Sequence, residues 1–130
     1  MSAEKNIAAI QQVYEAFGRG DIPYIIDQLT DDVEWMTHLE SSVPWAGEYL
    51  ERTNVMRFFQ AIAESGEVLG FEPMEIYGDG DTVVSIGYFG YKAKSTGKSA
   101  RTKWVFIWKF RGDKICSYEQ FHDPKLTEIF

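Results

Sequence analysis

Apolar residues recur at helical spacing near the start of the chain. Ile7, Ile10, Val13, Tyr14 and Phe17 share one face, with Glu4, Lys5, Gln11, Gln12 and Glu15 on the other. Gly18 and Gly20 end this helix. Asp21 then caps a second, short helix with Pro23 in its first turn and Ile22, Ile25, Ile26 and Leu29 facing inward. Thr30-Asp31-Asp32 reads as a turn, and Val33-Glu34-Trp35-Met36-Thr37-His38 as a short strand. Residues 39–51 read as a loop punctuated by Pro44 and Gly47. A third helix is expected from about Arg52 to Ser65, with Val55, Met56, Phe59 and Ile62 on its apolar face and Gly66 as its stop.

The rest reads as strands, about 67–77, 81–92, 100–111 and 114–123. Their joints, Gly78-Asp79-Gly80-Asp81, Ser95-Thr96-Gly97-Lys98 and Gly112-Asp113, all carry hairpin chemistry. Helices first and a four-stranded antiparallel meander after them is an α+β order. Side chains alternate along a strand, so each strand assigns its own faces. Trp104, Phe106 and Trp108 share one face, and Lys103, Val105, Ile107 and Lys109 the other. Cys116, Tyr118, Gln120 and His122 alternate against Ile115, Ser117, Glu119 and Phe121. Val84, Ile86 and Tyr88 alternate against Val83, Ser85, Gly87 and Phe89. One face of each strand is bulky. The other is mixed, too apolar for open solvent and too polar for a core, and reads as a subunit interface.

Composition narrows the function classes. The 130 residues fit one domain, 1–130. Thirteen basic against twenty acidic residues give a net charge of −7, which repels phosphate backbones and argues against nucleic acid as a partner. Apolar runs fall far short of the ~20 residues that span a bilayer, so no membrane role is expected. The start lacks the basic and apolar regions of a secretory leader, and a single cysteine, Cys116, makes no internal disulfide. A cytoplasmic location is the resulting expectation. Aromatics are abundant, with four Trp, and need a place: a large core, an interface or an aromatic-lined pocket.

The order of the motifs resembles a known family. Gly20-Asp21-Ile22-Pro23, then Asp31-Asp32-Val33-Glu34-Trp35, then Pro44-Trp45-Ala46-Gly47-Glu48-Tyr49 before a helix carrying Phe58-Phe59, is similar to the SnoaL-like, ketosteroid-isomerase-like branch of the NTF2-like superfamily. The likeness covers essentially the whole chain and rests on order and spacing. At one place the chain departs from it: a second loop glycine common in the family is here Glu51. The resemblance implies a cone-shaped α+β barrel, with three N-terminal helices packed on a curved, mostly antiparallel sheet. It also implies a deep apolar pocket and a homodimer built sheet against sheet. Fold alone gives no function, because this fold hosts isomerases, cyclases, dehydratases, hydrolases and binding modules.

The isomerase triad is absent. Its oxyanion-hole Tyr falls at Val13, its general-base Asp at Thr37 and its protonated Asp at Phe106. A proton-abstracting carboxylate and two enolate donors are what that reaction needs. The remaining candidates for proton transfer are the two histidines, His122 on the inward face of the last strand and His38 after Trp35–Thr37. The ligand-binding candidates are Tyr14, Trp35, Trp45, Tyr88, Trp104, Phe106, Trp108, Tyr118 and Gln120, a set of flat surfaces with a few polar handles. Nothing in the motifs implies a metal, flavin or nucleotide cofactor. Arg111-Gly112-Asp113 is turn chemistry alone, and Cys116 reads as a small buried hydrophobe.

Two functions stay open on this reading. One is acid/base chemistry on a small apolar substrate in an aromatic-lined pocket, of isomerase, cyclase, dehydratase or hydrolase type. The other is a non-catalytic binding or dimeric assembly module that carries an apolar ligand such as a pigment.

Overall fold

The computed structural model describes residues 2–130. Helix α1 (Ala3–Gly18) is capped by Ser2, whose hydroxyl accepts from the Lys5 amide at 3.2 Å. Helix α2 (Ile22–Asp27) is capped by Asp21, which accepts from the Tyr24 amide. Strands β1 (Leu29–Met36) and β2 (Glu48–Leu50), helix α3 (Arg52–Ser65) and strands β3 (Gly66–Asp79), β4 (Thr82–Ala93), β5 (Ser99–Arg111) and β6 (Lys114–His122) follow. A short 3-10 helix, Pro124–Ile129, closes the chain. The strands form one sheet in the order β2-β1-β6-β5-β4-β3. All neighbours are antiparallel except β1 and β6, which run parallel. The sheet is curved and unclosed. Helix α1 lies against β3 and β4, and α3 touches β1, β2 and β3, so α3 bridges the open side between the two ends of the sheet.

The expected architecture is therefore present, with local corrections. Strand β1 starts at Leu29, so Thr30-Asp31-Asp32 is an irregular stretch of strand where a turn is expected. Its exposed carboxylates are held by Arg52 (to Asp31, 3.0 Å) and Arg111 (to Asp32, 3.0 Å). Part of the expected 39–51 loop is strand β2, paired with β1 through Tyr49 opposite Trp35. The Thr37 hydroxyl pins that loop, donating to the Gly47 carbonyl at 2.9 Å and accepting from its amide at 2.7 Å. On α3 Val55, Phe58 and Ile62 are buried, Phe59 is half-buried against the core, and Met56 is exposed. Glu51, the position that departs from the family pattern, stands at φ +72° where the chain turns from β2 into α3. Glycine adopts that conformation without strain and glutamate does not.

Two corrections concern faces. In β4 the inward side is Val83, Ser85, Gly87 and Phe89, while Val84, Ile86 and Tyr88 look outward. Size explains this. The rings of β5 need room, and small residues opposite them supply it: Ser85 pairs with Phe106 and Gly87 with Trp104. A Cβ on Gly87 would lie 2.5 Å from the Trp104 ring and 2.3 Å from the Glu72 carbonyl oxygen, so no side chain fits there. In β6 the register shifts, with Lys109 opposite Ser117 but Phe110 opposite Ile115. Cys116 is the extra residue of a bulge. Ile115 consequently turns into the core beside Phe110, and Cys116 is only half-buried.

Candidate functional site

The inward faces of β1, β4, β5 and β6 meet α1 and α3 over an aromatic chamber. Strand β6 contributes Tyr118, Gln120 and His122, β5 contributes Phe106 and Trp108, and β1 contributes Trp35. The helices add Tyr14 and Phe17 from α1 and Phe58 and Phe59 from α3. Phe71 of β3 and Phe89 of β4 complete the wall, and Trp45 comes from the loop before β2. The free volume is only about 60 Å³. That is room for a few waters, less than an engineered apolar cavity of about 150 Å³ that takes up benzene. Phe17, Phe59 and Phe71 line the chamber and are only half-buried, so they form its mouth.

The packing inside is dense. Trp35 lies 4.0 Å from Tyr118, centroid to centroid, and edge-on to Trp108 at 5.7 Å. Tyr14 is tied to the sheet because Trp108 Nε1 donates to its hydroxyl at 3.0 Å. Ser85 also lies near that hydroxyl but makes no hydrogen bond of good geometry. Burial pushes the Tyr14 phenol up, and these neighbours offset it only in part. Burial likewise raises Tyr118, whose hydroxyl accepts from Gln120 Nε2 at 2.6 Å. Both phenols therefore keep their protons at neutral pH. Among the described residues none that lines the chamber carries a charge there, since His122 is neutral as well: burial lowers its pKa to about 4. Its ring sits 6.0 Å from Phe89 and 6.1 Å from Phe106, edge to face, and its Nδ1 is fully buried with no partner. The adjacent Asp123 carboxylate caps the 3-10 helix by accepting from the Lys125 amide.

Of the expected site residues, Tyr14, Trp35, Trp45, Phe106, Trp108, Tyr118, Gln120 and His122 come together in the chamber. Three do not line it. Trp104 is buried behind the wall, stacked on Phe106 at 3.8 Å and near Phe71 at 5.3 Å. Tyr88 faces outward beneath the Arg101 guanidinium, 3.9 Å from its ring centroid, because Gly87 and Phe89 take the inward positions. His38 also lies outside. It follows the inward Thr37, adopts φ +48°, stacks on the exposed Phe121 at 4.7 Å and bonds Glu119 at 2.9 Å. This contact reaches across to β6. His122 does not titrate near neutrality, because its ring is packed beside Phe89 and Phe106. Among the described residues no three His, Cys, Asp or Glu side chains gather as metal ligands. The rings that sequence reasoning missed are Phe17, Phe58, Phe59, Phe71 and Phe89. Alternation against Gly87 was the available signal for Phe89.

A curved six-stranded sheet with three helices over one apolar chamber is the NTF2-like architecture. An NTF2-like protein from Burkholderia xenovorans LB400 superimposes with a TM-score of 0.87 at 26% identity, over 98% of this chain and 96% of that one. A second, from Burkholderia pseudomallei K96243, gives 0.83 at 25% identity over 97% and 95%. TerC, solved with co-crystallised polyporic acid, gives 0.79 at 25% identity over 95% of each chain. The SnoaL-like domain model matches residues 10–118, and the chain belongs to that family. None of the curated proteins matches it in sequence.

Proposed function

We propose that the protein binds a small, flat, largely apolar molecule in the aromatic chamber. The observation that carries this reading is a chamber walled mostly by rings, with no charged residue among the described ones that line it and a half-buried aromatic mouth. TerC, which takes a small aromatic ligand in its crystals, supports it. Because the free volume is small, a ligand enters as Phe17, Phe59 and Phe71 swing aside and their rings stack on it. Tryptophan fluorescence should shift or quench on titration with polycyclic aromatic ligands. Trp108→Ala should weaken binding by about 1–3 kcal/mol, the scale of a lost buried aromatic contact. An unchanged spectrum across a broad panel would mean that the rings are a filled core and nothing more.

Binding without chemistry fits the chamber better than catalysis, because His122 Nδ1 has no partner to orient it, and the adjacent Asp123 carboxylate caps the 3-10 helix instead. One observation favours a catalytic reading: the unpartnered, neutral His122 Nδ1 beside the chamber is free to accept a proton from a substrate. If a turnover substrate is found, His122→Ala should reduce the rate roughly 10²–10⁴-fold with the fold intact. Full activity in that variant would remove the assignment.

We also infer a homodimer joined through the outer sheet face. Val84, Ile86, Val105 and Ile107 are only half-covered in the single chain, and Phe121 is 42% exposed beside them. That is a continuous apolar strip. Val105→Glu combined with Ile107→Glu would set like charges against each other across a two-fold axis and should give a monomer by light scattering at micromolar concentration. A doubly substituted protein that stays dimeric would exclude this face. Among the described residues no helix is long and apolar enough to cross a membrane.

A further inference from the structure

The chamber wall carries polar atoms that the protein itself leaves unused. Gln120 is 2% exposed, and its Oε1 has no partner because the amide nitrogen serves Tyr118. Trp35 is 1% exposed, and its Nε1–H is likewise unpaired. His122 Nδ1 is the third such atom, two residues beyond Gln120 on the same face of β6. Each of these residues lines the chamber. A buried polar group left without a partner costs on the order of 1–3 kcal/mol, so three around one cavity call for a ligand or water that satisfies them.

We propose that the chamber selects a neutral hydroxylated aromatic molecule, one whose hydroxyl donates to Gln120 and whose oxygens accept from Trp35. The inference rests on the aromatic-ligand reading above and deepens it. Trp35 on β1 pairs with Tyr118 of the neighbouring β6, two residues before Gln120, so the donor and the acceptor belong to one wall. A ligand that satisfies them carries both functions, and a phenolic or enolic hydroxyl supplies both in one group. A hydroxyl also suits the amide if its two ends exchange places, since it donates and accepts. Neutral imidazole matches it in either tautomer. Carboxylates are rejected, because neither Lys nor Arg lines the chamber and His122 stays uncharged, so a buried anion would have no counter-charge.

Three para-substituted toluenes test this, p-cresol and p-xylene with eight heavy atoms each and the slightly larger p-toluate, titrated at neutral pH and followed by amide shifts in NMR. Hydrophobicity alone favours p-xylene, since burying an unpaired hydroxyl is unfavourable. The expected result is the reverse, with p-cresol at least about fivefold tighter than p-xylene and p-toluate giving no chamber shifts. Gln120→Met, which keeps length and volume, should bring the p-cresol to p-xylene ratio to one or below. If that variant does not fold, the wild-type ratio decides alone. Tighter or equal p-xylene binding, chamber shifts with p-toluate matching those of p-cresol, or an unchanged ratio in Gln120→Met overturns the inference and leaves the aromatic-ligand reading standing. No binding of any of the three overturns both.

Discussion

Trp35→Ala is expected to lower stability by about 3–5 kcal/mol, the range for removing a large aromatic side chain from a packed core. The residue is 1% exposed and its ring is gripped on several sides: Tyr118 at 4.0 Å, Phe58 at 5.4 Å, Trp108 at 5.7 Å and Phe59 at 5.8 Å. These neighbours belong to β6, α3 and β5, so little can collapse into the gap without moving a secondary-structure element. Urea unfolding of the variant measures the loss. A value below about 1 kcal/mol would show that the chamber is loosely packed and partly wet around Trp35, since a site that relaxes loses least. Trp35→Phe separates two contributions: it keeps most of the ring area and deletes the unpaired indole N–H, so it should cost far less than the alanine change.

The residues that were legible in the sequence share a simple physical basis. Alternation in β5 put Trp104, Phe106 and Trp108 on the inner face, because an uninterrupted strand in the middle of a sheet obeys period two without exception. Helix α3 was readable from Arg52 to Ser65 for the matching reason, a 3.6-residue period closed by a glycine. The failures fall where the period carries no instruction. Both faces of β4 contain apolar residues, and only the volume of the facing Trp104 ring, a long-range fact, decides that Gly87 points in and Tyr88 out. The bulge at Cys116 reverses the phase for Ile115 alone, and a single inserted residue leaves no periodic trace. His38 sits where β1 has ended, and its direction is fixed by Glu119 and Phe121, residues 81 and 83 positions away, which local pattern does not reach.

Stability should fall with acidity through His122 in a defined window. Burial among Phe89 and Phe106 lowers its pKa in the folded chain to about 4, from the ordinary 6.5 that it regains on unfolding. The folded state therefore disfavours the proton that the unfolded state accepts. Above about pH 6.5 both states are neutral here and the group has no effect on the balance. Between about pH 6.5 and 4 the unfolded chain binds a proton that the folded chain refuses, so stability declines as pH falls, and below about 4 the decline from this group levels off. The full loss is on the order of 3 kcal/mol, the free energy equivalent of that shift. Exposed carboxylates held by arginine, Asp32 by Arg111 and Glu72 by Arg101, also lose their partners in acid. Their effect is common to wild type and variant, so the difference between the two isolates the histidine. His122→Gln, neutral at every pH, should give an unfolding free energy that is flatter than wild type between pH 6.5 and 4. The two curves should converge toward acid by about 3 kcal/mol relative to their separation at neutral pH. Parallel curves would show that solvent reaches His122 in the folded chain, and would also remove the neutral, uncharged chamber on which rejection of carboxylates depends.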